Sequence, residues 1–208
     1  MRERETSIGK AILFDLGKVL LDFDKDVILN RFRQKTGLSD QEINRGLALY
    51  HHLGFETGLI SPQEFHERLM AELGLKMPFE EFRKIWCDIF RVITPMVELF
   101  HRLREKHRTY IFSNTDPLHF PYVLERFPWL NMFDGRAISY ELGVRKPDRE
   151  FFIKALEKFA ENPSECVYID DLEENVVAAQ ELGIDGILHI SPEDTIATLR
   201  DLGIDVGE

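Results

Sequence analysis

The sequence has few of the features that mark secreted, membrane or metal-cluster proteins. Its 208 residues include two cysteines, Cys87 and Cys166, which lack the paired spacing of a zinc site or a redox motif. We interpret both as buried thiols in a reducing compartment. No apolar run is long enough to cross a bilayer, and the N-terminal MRERETSIGK lacks the hydrophobic segment of a signal peptide. These absences predict a cytoplasmic protein without membrane association.

Positive charge is also scarce. Lysine and arginine total 26 residues against 37 aspartates and glutamates, which gives a formal net charge of -11. A chain with this balance builds no broad basic surface, so we expect no nucleic-acid partner. A site for a small anionic ligand is not excluded, because such a site is local. The sequence indicates no particular oligomeric state.

The hydrophobic content, 44%, is ordinary for a globular protein. Five short apolar runs have the length of strands and are bounded by polar or turn residues: AILF, TYIF, RAIS, CVYI and GILHI. Runs of this kind are typical of strands buried on both faces of a parallel sheet. From Thr94 onward these runs alternate with helical segments. The pattern predicts a doubly wound α/β fold with a mainly parallel, Rossmann-like sheet.

One long segment breaks this alternation. Residues 25–93 read as helical throughout, with no convincing strand. We therefore predict an inserted helical cap over 25–93, placed after the first strand. The predicted Rossmann-like core then consists of residues 1–24 and 94–208.

Chemically versatile side chains gather where the predicted strands end. In an open parallel sheet, ligands bind beyond the carboxyl ends of the strands. Six polar residues follow predicted strands: Asp15, Ser113, Asn114, Lys146, Asp170 and Asp171. Each alone has an ordinary explanation as a cap, a turn residue or an exposed loop residue. Their convergence on one edge of the sheet indicates a catalytic site.

These residue types match phosphoryl transfer through a covalent aspartyl-phosphate. Paired carboxylates and a carbonyl are sufficient protein ligands for Mg²⁺, which prefers hard oxygen donors and retains water. A phosphate dianion approaches an aspartate only if its charge is offset, here by the metal and Lys146. Ser113 and backbone amides of the following helix would hold the phosphoryl oxygens. Asp15 would attack phosphorus, and water would then hydrolyse the acyl-phosphate.

Four segments in chain order resemble the motifs of the haloacid dehalogenase-like (HAD) superfamily: ILFDLGKVL, IFSNT, GVRKPD and VYIDDLEEN. The helical insertion matches the place where that superfamily carries its cap. The segment FETGLISPQEF is similar to a cap segment of the branch that contains bacterial α-D-glucose-1-phosphate phosphatase. The resemblance covers nearly the whole chain.

The resemblance implies a metal site built by four residues. Asp15 matches the nucleophile, which is also a metal ligand, and Gly17 matches the position whose backbone carbonyl binds Mg²⁺. Asp171 is the first choice for the second carboxylate ligand. Asp170 is then its orienting partner, although the two could exchange roles.

The resemblance also implies how substrate is held and what it is. Ser113 and Asn114 match phosphate- or substrate-binding positions, and Lys146 matches the lysine that contacts both the phosphoryl group and the nucleophile. The implied activity is Mg²⁺-dependent hydrolysis of small phosphorylated metabolites. Sugar phosphates such as α-glucose-1-phosphate are favoured.

Gly17 departs from the common pattern of the superfamily. Most of its phosphatases have an aspartate there, which protonates the leaving oxygen and later activates water, a contribution of about 10²–10⁴-fold. Glycine does neither, although the glucose-1-phosphatase-like branch shares it. The sequence therefore predicts a preference for good leaving groups, as in sugar-1-phosphates or aryl phosphates.

Three nearby side chains are candidates to replace the missing acid. Asp22 and Asp24 alternate with apolar residues in LLDFD, so they share one face of a presumed hairpin. We interpret both as solvated carboxylates, and Lys18 as a lysine of the same flap.

The cap offers two candidates for substrate contact. In YHHLGFETGLIS, Phe55 and Glu56 lie between glycines that permit turns. The alternative is that Phe55 belongs to the core of the cap and Glu56 is solvated.

Several other functions compete with the phosphatase. A 2-haloacid dehalogenase also uses a nucleophilic aspartate but needs no Mg²⁺, so the acidic pair Asp170 and Asp171 argues against it. A phosphomutase normally uses the missing acid. A receiver-like signalling domain has its acids in a different chain order. A catalytically weak module that binds a phosphorylated ligand is supported only by Gly17.

Overall fold

The computed structural model describes residues 9–207. Residues 1–8, which include most of the N-terminal segment considered above, and residue 208 lie outside the described residues. The seven strands of the described chain are β1 (Gly9–Phe14), β2 (Leu21–Phe23), β3 (Phe90–Val92), β4 (His107–Ser113), β5 (Gly135–Ile138), β6 (Cys166–Asp170) and β7 (Asp185–Leu188).

Helices account for much of the remaining chain. Within residues 9–207 they are α1 (Lys25–Thr36), α2 (Asp40–Leu47), α3 (Leu49–His52), α4 (Pro62–Leu73), α5 (Phe79–Cys87), α6 (Thr94–Leu103), α7 (His119–Arg126), α8 (Ser139–Leu142), α9 (Arg149–Phe159), α10 (Glu173–Gln180) and α11 (Pro192–Asp201). Short 3₁₀ turns cover Phe55–Thr57, Pro128–Met132 and Pro163–Glu165. In the described part of the chain, no helix has the length and hydrophobicity that crossing a bilayer would require.

Five parallel strands form the central sheet, in the order β5-β4-β1-β6-β7. Successive residues of β1 pack on opposite faces: Ile12 and Phe14 join one apolar cluster, whereas Ala11 and Leu13 join another. Because both faces are covered, the strands are apolar throughout, as the sequence indicated. The predicted α/β, Rossmann-like fold is confirmed.

Between β2 and β3 the chain forms helices α1 to α5, which bury an apolar cluster of their own. Aromatic rings dominate this cluster. Phe55 and Phe65 stack with their ring centroids 4.3 Å apart, and both side chains are fully buried. The division into a core and a cap at residues 24 and 93 stays a prediction.

The expectation that residues 25–93 contain no strand is wrong. β3 pairs antiparallel with β2, with Leu21 opposite Val92 and Phe23 opposite Phe90. The presumed hairpin around Asp22 is therefore also wrong, because β2 takes its partner from a distant part of the chain. A three-residue strand whose partner is remote in sequence has no local periodicity to reveal it. This small sheet lies where the chain leaves and re-enters the core.

Candidate active site at the carboxyl ends of the strands

The polar residues that end β1 and β6 are brought together by the sheet. The two strands are parallel neighbours with Phe14 opposite Ile169, and the amide of Asp15 donates to the carbonyl of Ile169 at 2.8 Å. The next strand of this sheet along the chain, β4, lies on the other side of β1. Strand order therefore reverses beside β1, which is where open α/β sheets form their ligand sites.

Three carboxylates meet at this point. Asp15, Asp170 and Asp171 each place an oxygen within 4.8 Å of the other two. Within residues 9–207, no other group of acidic, histidine or cysteine side chains is arranged in this way. Negative charges held this close repel one another unless a cation lies among them. Hard oxygen donors at this spacing fit Mg²⁺, so the donor set agrees with the predicted metal site.

Lys146 joins two of these carboxylates. Its Nζ donates to Asp15 Oδ1 at 2.8 Å, to Asp170 Oδ2 at 2.7 Å and to the carbonyl of Phe112 at 2.8 Å. The side chain is 1% exposed. Burial disfavours its charge, but the two carboxylates outweigh burial and raise the pKa of Lys146 above its ordinary value. The ammonium therefore stays charged in the interior.

At Asp15, burial outweighs the attraction of Lys146. Burial raises the pKa of Asp15 to about 7, with Lys146 opposing the rise and Asp170 adding to it. A divalent cation beside the carboxylate would favour its charged form, which is the form that acts as a nucleophile.

The two acids after β6 have different surroundings. Asp170 is fully buried and accepts hydrogen bonds from Lys146, from the Tyr168 hydroxyl, from the Leu172 amide at 2.8 Å and from Asn175 Nδ2 at 3.0 Å. Burial would raise its pKa, but Lys146 and the other donors hold the pKa of Asp170 below its usual value.

Asp171 is half-buried, and burial together with the neighbouring Asp170 raises its pKa. Among residues 9–207, no other residue hydrogen-bonds its carboxylate. Asp171 thus keeps lone pairs available for a cation, whereas those of Asp170 are occupied. This contrast favours the predicted assignment of Asp171 as the metal ligand, which stays a prediction.

Ser113 and Asn114 follow β4 at the same edge. Ser113 is 2% exposed and lines the cavity described below. The Asn114 side chain accepts from the Lys146 amide at 2.8 Å and donates to the Lys146 carbonyl at 2.8 Å. Both ends of its amide therefore hold the backbone of Lys146. The geometry favours a positioning role for Asn114 over the predicted substrate contact.

Gly17 is packed against an aromatic ring. A Cβ atom placed on Gly17 would lie 2.8 Å from Cε1 of Phe23. The ring therefore fills the space that a larger residue at position 17 would need. An aspartate at position 17 and the Phe23 ring in its present position would therefore occupy the same space.

The three candidates to replace that acid are all engaged elsewhere. Lys18 Nζ donates to Asp22 Oδ1 at 2.6 Å, and this hydrogen bond lowers the pKa of Asp22. A lowered pKa is unfavourable for a proton donor near neutral pH. Asp24 caps α1, with its carboxylate accepting from the Asp26 amide at 2.9 Å. These contacts fit the interpretation of all three side chains as flap residues.

A cavity of about 220 Å³ adjoins the site and is lined by Gly17, Ser113 and Asn114 on one side and by helices α1 and α5 on another. Of the two cap candidates, Phe55 is buried in the cap cluster, whereas Glu56 lines the cavity. The turn that the sequence analysis singled out therefore reaches the cavity, and its contact with substrate stays a prediction.

Sequence reasoning missed Tyr168 and Asn175, which hold Asp170. Tyr168 lies two residues before Asp170 on the same strand face, so the alternation of β6 could have indicated the contact.

Comparison with known proteins agrees with the geometry. A family model described as a haloacid dehalogenase-like hydrolase matches residues 10–183. D-ribitol-5-phosphate phosphatase of Bacteroides thetaiotaomicron is 30% identical over 187 residues, which cover 85% of this chain and 89% of that protein. A sesquiterpene phosphatase of Aspergillus oryzae is 29% identical over 197 residues, with 93% and 94% covered.

A solved structure is also similar. The HAD family enzyme from B. thetaiotaomicron in complex with magnesium and inorganic phosphate has a TM-score of 0.79 and 31% identity, and covers 86% of this chain and 93% of that one. The chain belongs to the haloacid dehalogenase-like hydrolases. The predicted superfamily and the predicted enzyme class are confirmed. Its placement in the α-D-glucose-1-phosphate phosphatase branch stays a prediction.

Proposed function

We propose that this hydrolase is a Mg²⁺-dependent phosphatase of small phosphate monoesters that works through an aspartyl-phosphate. The observation that carries the proposal is the buried Lys146 ammonium, which hydrogen-bonds Asp15 and Asp170 beside a third carboxylate, Asp171. The phosphatase names of two relatives and the magnesium and phosphate bound by a similar enzyme support it. Its cytoplasmic location and lack of a nucleic-acid partner stay predictions.

Each residue has a role in two displacements at phosphorus. An Asp15 oxygen attacks phosphorus, the bond from phosphorus to the ester oxygen breaks, and the alkoxide leaves and takes a proton from water. Water then attacks the aspartyl-phosphate, which releases inorganic phosphate and restores the carboxylate. Lys146 and the Ser113 hydroxyl offset the charge on the phosphoryl oxygens. Asp15, Asp171 and the carbonyl of Gly17 would hold Mg²⁺, which would supply further charge neutralisation.

Gly17 shapes substrate choice within this proposal. Because no carboxylic acid at position 17 protonates the departing oxygen, substrates whose alcohols leave readily should react fastest. Sugar-1-phosphates such as α-glucose-1-phosphate and aryl phosphates both meet this condition. The relatives named above act on a sugar-alcohol phosphate and a sesquiterpene phosphate, which belong to neither group, so this preference rests on Gly17.

Hydrolysis of p-nitrophenyl phosphate with and without EDTA tests the proposal. We expect turnover that requires Mg²⁺ and is lost in Asp15→Asn, while the exposed control Asp201→Asn keeps it. Chloride release from a 2-haloacid that is insensitive to EDTA would instead identify a dehalogenase. Binding of phosphate without turnover of any monoester would identify a binding module.

A further inference from the structure

We propose that the cavity selects phosphate monoesters whose alcohol part is a compact apolar ring and not a polyol, and that Phe23 sets this preference. The inference rests on the phosphatase function proposed above and narrows its substrate class: of the sugar and aryl phosphates named there, it favours the aryl group.

The cavity is continuous with the catalytic edge of the sheet. Gly17, Ser113 and Asn114 line it, and they adjoin the nucleophile Asp15 in the fold. A phosphoryl group held at Ser113 and Lys146 would therefore direct its ester oxygen and alcohol into this space. Whatever fills the cavity is the leaving group.

The walls of this cavity are largely apolar. Ile28 and Trp86 are 5% and 3% exposed, and they reach the cavity from α1 and α5. Phe23, Ile89 and Phe90 line it from the segments that connect cap and core. Burying an apolar ring against such walls is favourable by roughly 25 cal/mol per Å² removed from water.

Three polar side chains of the cavity wall already hydrogen-bond protein partners, whereas Lys25 and His51 line the cavity at exposed positions. His119 binds Asp116 through Nδ1 and the Trp86 carbonyl through Nε2, at 2.6 and 2.9 Å. Glu56 accepts from Arg145 at 2.8 Å, and the Asn114 amide holds the backbone of Lys146. Hydroxyl groups of a polyol that are buried against these three side chains and the apolar walls would lose hydrogen bonds to water, each at a cost of about 1–3 kcal/mol.

The size of the cavity restricts the ring. Its volume is about 220 Å³. It is smaller than the roughly 300–1,000 Å³ typical of pockets for drug-sized ligands. One six-membered ring with a short branch is therefore the class of alcohol that it accommodates.

Phe23 links this selectivity to the catalytic loop. Its ring lies against Gly17, packs edge-on to Phe90 with centroids 5.9 Å apart, and lines the cavity. It is thus an apolar wall residue in close contact with Gly17 of the loop that carries the nucleophile. Truncating it should enlarge the cavity at the end where the ester oxygen leaves.

The test compares two primary alkyl phosphates, benzyl phosphate and glucose-6-phosphate, so that leaving-group chemistry is similar. With Mg²⁺, we expect a kcat/KM about 10²-fold higher for benzyl phosphate. Phe23→Ala should lower this ratio by about tenfold, mainly by raising the KM for benzyl phosphate, and Phe23→Leu should give an intermediate ratio. Phe79→Ala, which removes a partly buried cap phenylalanine outside the cavity lining, should leave the ratio unchanged.

The outcomes separate the two claims. If p-nitrophenyl phosphate is hydrolysed but glucose-6-phosphate is turned over as well as benzyl phosphate, the proposed function stands and the selectivity is overturned. If neither Phe23 variant changes the ratio while thermal unfolding shows both folded, Phe23 has no such role. If no monoester is hydrolysed, the proposed function fails and the inference falls with it.

Discussion

Arg145 Nη1 donates to Glu56 Oε2 at 2.8 Å and so connects the 3₁₀ turn at 55–57 with the loop that carries Lys146. The same turn packs closely on α8, since a Cβ on Gly58 would lie 2.4 Å from the carbonyl oxygen of Tyr140. Glu56 also lines the cavity. The ion pair therefore fixes the cavity wall to the segment that positions the catalytic lysine.

Removing this pair should weaken substrate binding modestly. The Arg145 side chain is 47% exposed, and pairs with such exposure contribute about 0–1 kcal/mol. We expect Glu56→Gln to raise KM by up to about fivefold with a smaller change in kcat, measured by steady-state kinetics. Arg83→Gln, which removes a more peripheral pair with Glu125, is the control. An unchanged KM in Glu56→Gln would show that the pair does not maintain the cavity.

The two acids after β6 should respond differently to conversion to asparagine. Asp171 has lone pairs available for Mg²⁺, whereas Asp170 is held by Lys146 and its other donors. We expect Asp170→Asn to raise the half-saturating Mg²⁺ concentration by about 10–100-fold, and Asp171→Asn to raise it further. Titration of activity with Mg²⁺ measures both. The reverse order would mean that the two acids exchange roles.

Asn114 should affect the chemical step more than substrate binding. Its amide holds the backbone of Lys146 through two hydrogen bonds of 2.8 Å. We expect Asn114→Ala to lower kcat by about 10–10²-fold through displacement of the lysine, with little change in KM. Asn131→Ala, at an exposed 3₁₀ turn, is the control. A raised KM with unchanged kcat would instead support the substrate contact that the sequence predicted.

A buried ion pair at the start of α7, between Asp116 and His119, should make stability depend on pH. Burial disfavours the charge of His119, but Asp116 outweighs it and raises the pKa of His119 above 6.5. Burial likewise opposes the Asp116 charge, but His119 and backbone amides lower the pKa of Asp116 below 3.8. The contribution of charged His119 to stability is fully present below pH 6.5, and it is lost as the pH rises through the folded-state pKa of His119. The contribution of the Asp116 carboxylate is fully present above pH 3.8, and it is lost as the pH falls through the folded-state pKa of Asp116.

His119→Gln should therefore lower the free energy of unfolding most between pH 3.8 and pH 6.5. It leaves the Asp116 carboxylate buried without its charged partner, a loss of about 3–5 kcal/mol. Urea unfolding should show this difference from wild type at about pH 5.5 and a smaller one at about pH 9. His52→Gln, at an exposed position, controls for the loss of an imidazole. A difference that does not change with pH would contradict the charged state of the pair.

The sequence predicts features of this fold that depend on local composition and misses those that depend on remote contacts. The strands of the main sheet are apolar because helices cover both faces, so β1 and β6 are visible as short apolar runs. β3 is not visible, because its partner β2 lies far away in the chain. The order of the motifs correctly predicted that Asp15, Lys146 and Asp170 lie close together. The hydrogen bonds between the Asn114 side chain and the backbone of Lys146 depend on the folded backbone, so the sequence did not reveal them.

Restoring an acid at position 17 should require removal of the Phe23 ring. A Cβ on Gly17 would lie 2.8 Å from Phe23 Cε1, so Gly17→Asp alone forces the flap to shift. In Gly17→Asp/Phe23→Ala the new carboxylic acid has space to protonate a departing alkoxide, which is worth about 10²–10⁴-fold for poor leaving groups. We expect the double variant to gain kcat on glucose-6-phosphate relative to Phe23→Ala while gaining little on p-nitrophenyl phosphate, whose phenolate leaves without protonation. An equal gain on both substrates, or full benefit from Gly17→Asp alone, would show that the ring does not exclude the acid.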